Sequence, residues 1–310
     1  QNLDWLVSRY GSRVEPVIAD VRDRAALAPA VGRARAVYHF AAQTAVTTSL
    51  VEPGDDFAVN LGGTFNVLEA VRQSGRAVPV IFASTNKVYG GLEDIPVEAS
   101  DERYAPEDQD IATTGIDETR PLDFCTPYGC SKGAADQYVL DYATSFGIPT
   151  AVLRMSCIYG PRQFGTEDQG WVAHFLIRAL RGEPISIYGD GRQVRDILHV
   201  RDAVAAYRAV LGNIGAVKGQ AFNLGGGPAN AVSLRQLLLE VAEIVGRDLD
   251  LSYADWRQGD QVWFVANTRR LEGALGWRPT ISWREGVRDL ARWLADERHP
   301  ADVEPRRATA

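Results

Sequence analysis

Tyr128 and Lys132, in the run Tyr128-Gly129-Cys130-Ser131-Lys132, put a phenol and an ammonium four residues apart. On a helix such residues are neighbours on one face. An unperturbed Tyr has a pKa of about 10. A nearby cation favours the phenolate, whereas desolvation alone opposes it. Lowering the phenol by roughly two or three units corresponds to about 3–4 kcal/mol of differential stabilisation of the anion. Such a pair can act near neutral pH as a base that takes a proton from a hydroxyl while a cofactor takes the hydride. The plainer alternative for the pair alone is a buried Tyr beside a snorkelling Lys.

The elements that must position this pair follow from periodicity. Strand-like runs at Val14 to Ala19, Ala36 to Phe40, Val78 to Ser84 and Thr150 to Ser156 alternate with helical patterns. This alternation predicts an α/β fold with a mainly parallel sheet. Asn60 to Ser74 reads as a helix with Leu61, Phe65, Leu68 and Val71 on one face, and Gly62 and Gly63 permit close approach to a strand or ligand. The helix opened by Tyr128 carries Ala135, Tyr138, Val139, Tyr142 and Phe146 at spacings of three and four, and stops at Gly147 before Pro149.

Residues 91–123 interrupt the rhythm with a carboxylate-rich segment whose only cations are Arg103 and Arg120. It is too long for a simple connection and is expected to be a solvated insertion. Its place just before Tyr128 leaves a binding loop open. Beyond Cys157 the pattern fits a smaller lobe, with helices at Trp171–Arg181 and Ser233–Val245 and strands at Ile185–Tyr188 and Phe222–Leu224. The tail from Pro300 lacks apolar periodicity and is expected to fray.

Composition narrows the partners. The 310 residues are 45% hydrophobic and 24% charged, as in a globular protein, and the net charge of −7 argues against nucleic acid. An anionic ligand then needs locally placed arginines. Cys125, Cys130 and Cys157 form neither a metal spacing nor a disulfide framework, so no metal and a reducing cytoplasm are expected. No apolar run is long enough for a membrane span. No Gly-x-Gly-x-x-Gly turn follows an N-terminal strand, and the first residue is Gln. The expectation is a fragment whose full product holds about forty more residues, including that turn.

Ser84-Thr85 before Tyr128 and Lys132, His39-Phe40-Ala41-Ala42-Gln43, Asn60-Leu61-Gly62-Gly63-Thr64, Val88-Tyr89-Gly90, Tyr159-Gly160-Pro161 and Asp196-Ile197-Leu198-His199-Val200 follow one another through most of the chain. In this order they resemble the extended short-chain dehydrogenase/reductase superfamily of nucleotide-sugar enzymes. Longer runs are similar to the CDP-tyvelose (CDP-paratose) 2-epimerase group within it. These are Ser84 to Gly90, Thr126 to Tyr138, Arg162-Gln163-Phe164 with Asp168 to Val172, and the insertion with Gly115-Ile116-Asp117-Glu118.

The resemblance implies a Rossmann-type doubly wound sheet over residues 1–165 and 194–223, lacking its first strands and Gly-rich turn, with a smaller α/β lobe over 166–193 and 224–310. It implies bound NAD, a nucleoside diphosphate sugar as substrate, and a homo-oligomer. Tyr128 becomes the base, Lys132 orients the nicotinamide ribose and lowers the Tyr pKa, and Thr85 bonds the reacting hydroxyl. Asp20, Ala41, Ala42, Asn60 and Ser84 join them as cofactor contacts, Asp20 towards the adenine amine. A helix-capping role for Asp20 is the plain alternative.

Asn86 and Lys87 stand where related 4,6-dehydratases carry acids that drive elimination, which disfavours dehydration. Gln169, Trp171 and Val172 become substrate-lobe contacts, and Arg195 and Arg257 bind the diphosphate. Arginine suits that work because its fork donates parallel bonds to phosphate oxygens. Ion pairs with Asp196 or Asp260 are the alternative for these arginines. His39 and His199 are read as structural, with Asp202 capping the next helix. Cys157 replaces an Asn of many relatives. The activity implied is epimerisation, most particularly at carbon 2. A 4-epimerase, a 4,6-dehydratase and a non-catalytic NAD-binding module are the rivals.

Overall fold

A computed structural model describes residues 1–296; the tail expected to fray from Pro300 lies outside them. Four parallel strands form the main sheet in the order Val37–His39, Val80–Thr85, Thr150–Met155 and Gln220–Leu224. All six residues of Val80–Thr85 are buried, as expected of a parallel strand covered on both faces. Alternation along the strand divides them. Val80 and Phe82 pack with Val67, Leu68 and Val71 of the helix Gly63–Gln73 and with Ala135 and Val139 of the helix Thr126–Ser145. Ile81 and Ala83 face the other way, onto Ala203, Ala206 and Val210 of the helix Val200–Gly212. The sheet is thus doubly wound.

The run Val14–Ala19 is not a strand. It joins no sheet, and Ile18 is 87% exposed. An extended segment becomes a strand only when a neighbour takes its backbone bonds, and among the described residues Val37–His39 pairs on one side alone, with Val80–Thr85. The segment is pinned further on, where Val21 lies over Gly63. A Cβ at Gly63 would come within 2.5 Å of Val21 Cγ1, so glycine is required there. Asn66 also donates to the Val21 and Arg22 carbonyls.

The insertion is less detached than its charge suggests. Glu93, Asp94, Glu98 and Asp110 are solvated. Leu92, Ile95 and Ile116, however, are buried in a core with Val88, Tyr89 and Phe264. Glu118 accepts from the Asn223 backbone at 2.6 Å, and the Asn223 amide donates to the Ile116 carbonyl at 2.8 Å. Acidic patterning reported the outer face and hid the inner one.

The second core lies among the helices Trp171–Arg181, Leu234–Val245 and Trp283–Asp296 and the strand Ile185–Tyr188. Ser233 and Gln236 close a capping box at the start of Leu234–Val245. Between the two cores runs the fully buried strand Val194–His199, paired with Cys157–Tyr159 and Trp263–Phe264 in parallel and with Ala231–Ser233 antiparallel. The cap of Val200–Gly212 differs from expectation. His199 accepts from the Arg201 N–H at 3.3 Å, while Asp202 is drawn to Thr280 and Ile281.

One buried ion pair ties the Tyr128 helix to the sheet. Asp136 accepts from Arg154 Nε and Nη2, both at 3.0 Å, and from the Ser84 hydroxyl at 2.8 Å. Arg154 also reaches the Tyr89 hydroxyl, which donates to Asn223 at 2.7 Å. Arg154→Met leaves Asp136 charged and unanswered in the interior, so we expect a loss of about 3–5 kcal/mol of stability, measured by urea unfolding. A loss below ~1 kcal/mol would show that the pair is not what anchors the helix.

Candidate active site

The helix Thr126–Ser145 starts under tension. Thr126 takes φ +63°, outside the range usual for a branched residue, and Pro127 follows in the first turn. Gly259 lies against it at φ +74°, where a Cβ would meet Thr126 Cγ2 at 2.6 Å. The loop carrying Arg257, Gly259 and Asp260 therefore reaches the first turn of the Tyr128 helix only because residue 259 is glycine. The Ser49 hydroxyl accepts the free Tyr128 N–H at 3.2 Å.

A cavity of about 310 Å³ opens above this turn, between the two cores. Ser84, Thr85 and Tyr128 line its floor. Thr85 lies close enough to the Tyr128 phenol to favour its charged form, while its hydroxyl donates to Asn86 Oδ1 at 3.4 Å and accepts the Lys87 N–H at 3.2 Å. Gln169, Trp171 and Val172 form part of the far wall, where the Trp171 indole donates to Cys157 Sγ at 3.2 Å. Lys87, Arg195 and Arg257 supply positive charge. Every substrate contact expected from the sequence borders this one cavity.

The cations are held before any anion arrives. Arg195 pairs with Asp260 at 2.8 Å, and Lys87 lies 3.6 Å from the same carboxylate while donating to the Gly259 carbonyl at 2.9 Å. Arg257 stacks over the Tyr188 ring at 3.8 Å and reaches Asp168 at 3.4 Å. Asp196, the other candidate partner for Arg195, is instead bonded to Ser156 and the Gly227 N–H. Asn86 also borders the cavity, with its amide donating to Gln261 at 2.7 Å. Asp260 and Gln261 are the residues that sequence reasoning missed as site members. Their signal was their place immediately after Arg257-Gln258-Gly259.

The expected cofactor contacts divide into two groups. Asn60 sits in a π-turn, Ala58–Gly62, and bonds the Gln43 N–H, Asp56 and Ser131. It thereby fixes the Ala41-Ala42-Gln43 loop against the Tyr128 helix. Ser84 turns its hydroxyl to Asp136. Asp20 caps no helix; it closes on Arg22, at 2.6 Å from Nη2, and Asp23 is the cap of Arg24–Arg33.

A profile of the NAD dependent epimerase/dehydratase family matches residues 5–225. The chain belongs to this family. Over 301 residues it is 41% identical to the CDP-paratose 2-epimerase of Salmonella typhi, covering 95% of this chain and 88% of that one. Among solved structures it is similar to the UDP-glucose 4-epimerase of Thermus thermophilus in complex with NAD, with TM-score 0.76 and 30% identity over 94% of each chain. It also matches a dTDP-glucose 4,6-dehydratase double mutant from Streptomyces venezuelae with NAD bound, with TM-score 0.81 and 25% identity over 96% of this chain and 85% of that one.

NAD is the cofactor of the family, and the residues present fit it. Lys132 is buried, and its ammonium lies 4.2 Å over the Phe82 ring. Among the described residues no oxygen accepts a hydrogen bond from it. An ammonium on a largely buried side chain, with its donors still free, suits a ligand acceptor such as a ribose hydroxyl.

One expectation needs correcting. Tyr128 is not a low-pKa phenol in the protein alone: burial pushes it up to about 12, the nearby Thr85 side chain pulls it down, and the Asp56 charge pushes it up again. Burial also pushes Lys132 down to about 7, against the pull of Asp136 and Asp56. Desolvation penalises both charged forms and outweighs the neighbour effect that the spacing suggests.

His39 is confirmed as a core residue, 4% exposed, with Nε2 3.0 Å from Thr64 Oγ1. The Thr64 hydroxyl donates to the Asn60 carbonyl at 2.6 Å, so its lone pair accepts from a neutral His39 Nε2–H. Burial, and then the Lys132 charge, push the ring down to about 3. The folded protein thus binds this proton more weakly than the unfolded chain does. The His39 contribution is present above pH ~6.5 and is lost as pH falls towards 3, at up to ~1.4 kcal/mol per pH unit. Urea unfolding at stepped pH should show this slope in the native protein and lose it in His39→Gln.

Proposed function

We propose that this protein is an NAD-dependent nucleotide-sugar epimerase that inverts carbon 2 of a CDP-linked dideoxyhexose through transient oxidation and re-reduction. The observation that carries the reading is the single cavity in which Thr85 and Tyr128 face Lys87, Arg195 and Arg257. A base for a hydroxyl and a clamp for a diphosphate stand within one ligand's length. The choice of CDP and of carbon 2 rests on the similarity to the Salmonella typhi CDP-paratose 2-epimerase.

Bound NAD would supply the reversible oxidation of the sugar carbon. The chain's own residues do the rest. Thr85 orients the reacting hydroxyl and stabilises the Tyr128 oxygen as it takes the proton. With a resting phenol at about 12, Tyr128 must first release its own proton to solvent before it can accept the sugar's. The phenolate needs positive charge beside it, and Lys132 in its ammonium form is the residue placed to provide it. Tyr128 then returns the proton to the inverted oxygen. Arg195 and Arg257 hold the diphosphate with paired N–H donors, and Lys87 adds a point charge. A 4,6-dehydratase is disfavoured because Asn86 is tied to Gln261 and Lys87 to Gly259, so neither is an acid poised for elimination.

Two further parts of the reading concern the protein's setting. Phe65, Tyr138 and Phe146 are 40%, 46% and 50% exposed on adjoining helices, which supports pairing with a second copy. A monomer by light scattering would remove that part. Among the described residues no helix is long and apolar enough to cross a membrane, and the three cysteines are unpaired. Both support a cytoplasmic enzyme.

Tyr128→Phe keeps the ring for packing and removes the hydroxyl. Turnover of a CDP-dideoxyhexose should fall by about a hundred- to ten-thousand-fold, with cofactor retained. Near-normal turnover would take Tyr128 out of the base role.

Deuterium placed at carbon 2 of the sugar should remain at carbon 2 of the product, without exchange from solvent. Solvent deuterium at that carbon would overturn the carbon 2 mechanism. Activity on UDP-glucose in place of a CDP-sugar would favour the 4-epimerase.

A further inference from the structure

Asp56 is fully buried in the short helix Pro53–Phe57 and has no part in the chemistry above. One carboxylate oxygen accepts from the Asn60 amide at 3.1 Å, the other from the Ser131 hydroxyl. Both donors are neutral, and among the described residues no cation forms an ion pair with it. Its neighbour Asp55 is exposed and paired with Arg22 at 2.5 Å. A buried carboxylate served only by neutral donors is costly, so its position asks for an explanation.

Lys132 is the complementary case, a buried ammonium with no carboxylate in contact. Two carboxylates act on it through space, Asp136 more strongly and then Asp56. Asp136 is already closed on the Arg154 guanidinium and on Ser84. Asp56 has no other cation to answer it. The two are fixed in register, because Ser131 precedes Lys132 on the helix and donates to Asp56, while Asn60 bonds both Ser131 and Asp56.

We propose that Asp56 is the counter-charge of Lys132, a positioning residue that keeps the lysine in its ammonium form beside Tyr128 and is itself held by Ser131 and Asn60. Other groups face the pair. His39 does so from the strand Val37–His39 and is held neutral by burial. Tyr128 and Asp136 lie on the lysine's own helix, with Arg154 behind Asp136. Asp55 lies beside Asp56 and is answered by Arg22. Of these, Asp136 acts on Lys132 more strongly than Asp56 does, but its charge is shared with Arg154.

Removing a negative charge makes every group near it release its proton more readily. Asp56→Asn should therefore lower the titration midpoints of Lys132 and Tyr128 together. A merely structural Asp56 would lower stability and rate and leave both midpoints in place.

The chain has only three lysines, Lys87, Lys132 and Lys218, so their side chains can be followed by carbon-13 NMR in the full chain. The Lys132 midpoint is expected to fall by about one pH unit in Asp56→Asn, while the exposed Lys218 stays put. Ser131→Ala keeps the charge and should leave Lys132 within ~0.3 unit. In cofactor-loaded enzyme, the bell-shaped pH profile of kcat/KM should move as a whole to lower pH in Asp56→Asn, with kcat affected more than KM. An unmoved Lys132 midpoint in folded Asp56→Asn, or in Asp56→Ser should the amide not fit, overturns the proposal.

The proposal takes Tyr128 and Lys132 as the catalytic pair, but the NMR titration does not depend on substrate. Failure of the titration counts against the counter-charge alone. Normal turnover in Tyr128→Phe counts against the catalytic reading.

Discussion

Taking an ammonium out of water costs several kcal/mol unless nearby charge and hydrogen bonds replace the lost hydration. Lys132 is in that position, and much of the surrounding structure is arranged about it. The Phe82 ring offers its face at 4.2 Å, a partial substitute for water. The helix that carries the lysine is fixed at three levels: by Gly259 against Thr126, by Asn60 and Asp56 at Ser131, and by Arg154 and Ser84 at Asp136. The buried polar network is thus tied to function as much as to stability, since a packed apolar contact would hold the helix but not the charge.

The same constraint explains why the site lies where it does. In an open parallel sheet the ends of the strands leave a crevice that side chains from several strands can reach. Thr85 ends one strand, Met155 ends its neighbour, and Cys157 begins the short strand that leads towards the second core. Strand alternation sends Phe82 and Ser84 to the Tyr128 helix and Ile81 and Ala83 to the opposite face. The lysine's apolar support and the threonine's contact with the phenol therefore come from one six-residue strand.

What the sequence disclosed depended on whether the information was local. The Tyr128–Lys132 spacing, the helices Trp171–Arg181 and Leu234–Val245, and the strand Ile185–Tyr188 are written in consecutive residues, and the structure agrees with each. Val14–Ala19 has the composition of a strand, but strand identity lies in its neighbour, which local pattern does not contain. Asp56 was overlooked for a related reason, whereas Asp260 was named only as an ion-pair alternative, which it forms with Arg195. A carboxylate in Pro53-Gly54-Asp55-Asp56 looks like solvated surface, and only the fold shows that Asp55 faces water while Asp56 faces Ser131. The phenol's pKa was misjudged because spacing reveals a neighbouring charge and says nothing about desolvation, which is the larger effect here.

On the proposed reading, a chain of net charge −7 holds a doubly charged ligand at a local cationic wall. Over a Debye length of about 8 Å the overall field is screened, so the local arrangement decides. Lys87 and Arg195 share Asp260, and Arg257 is stacked on Tyr188. Each cation is therefore already oriented, and little side-chain entropy remains to be lost on binding. Asp260 reduces the net attraction for any anion, since its own pairs must be loosened as phosphate oxygens approach. It also keeps two like charges tolerable side by side in a partly buried wall. Burial pushes the Lys87 pKa down, and the adjacent Arg195 pushes it further, while Asp260 holds it up. Without that carboxylate the lysine would release its proton more readily. At this wall a partly buried carboxylate favours the charged form of a partly buried amine before any ligand is bound.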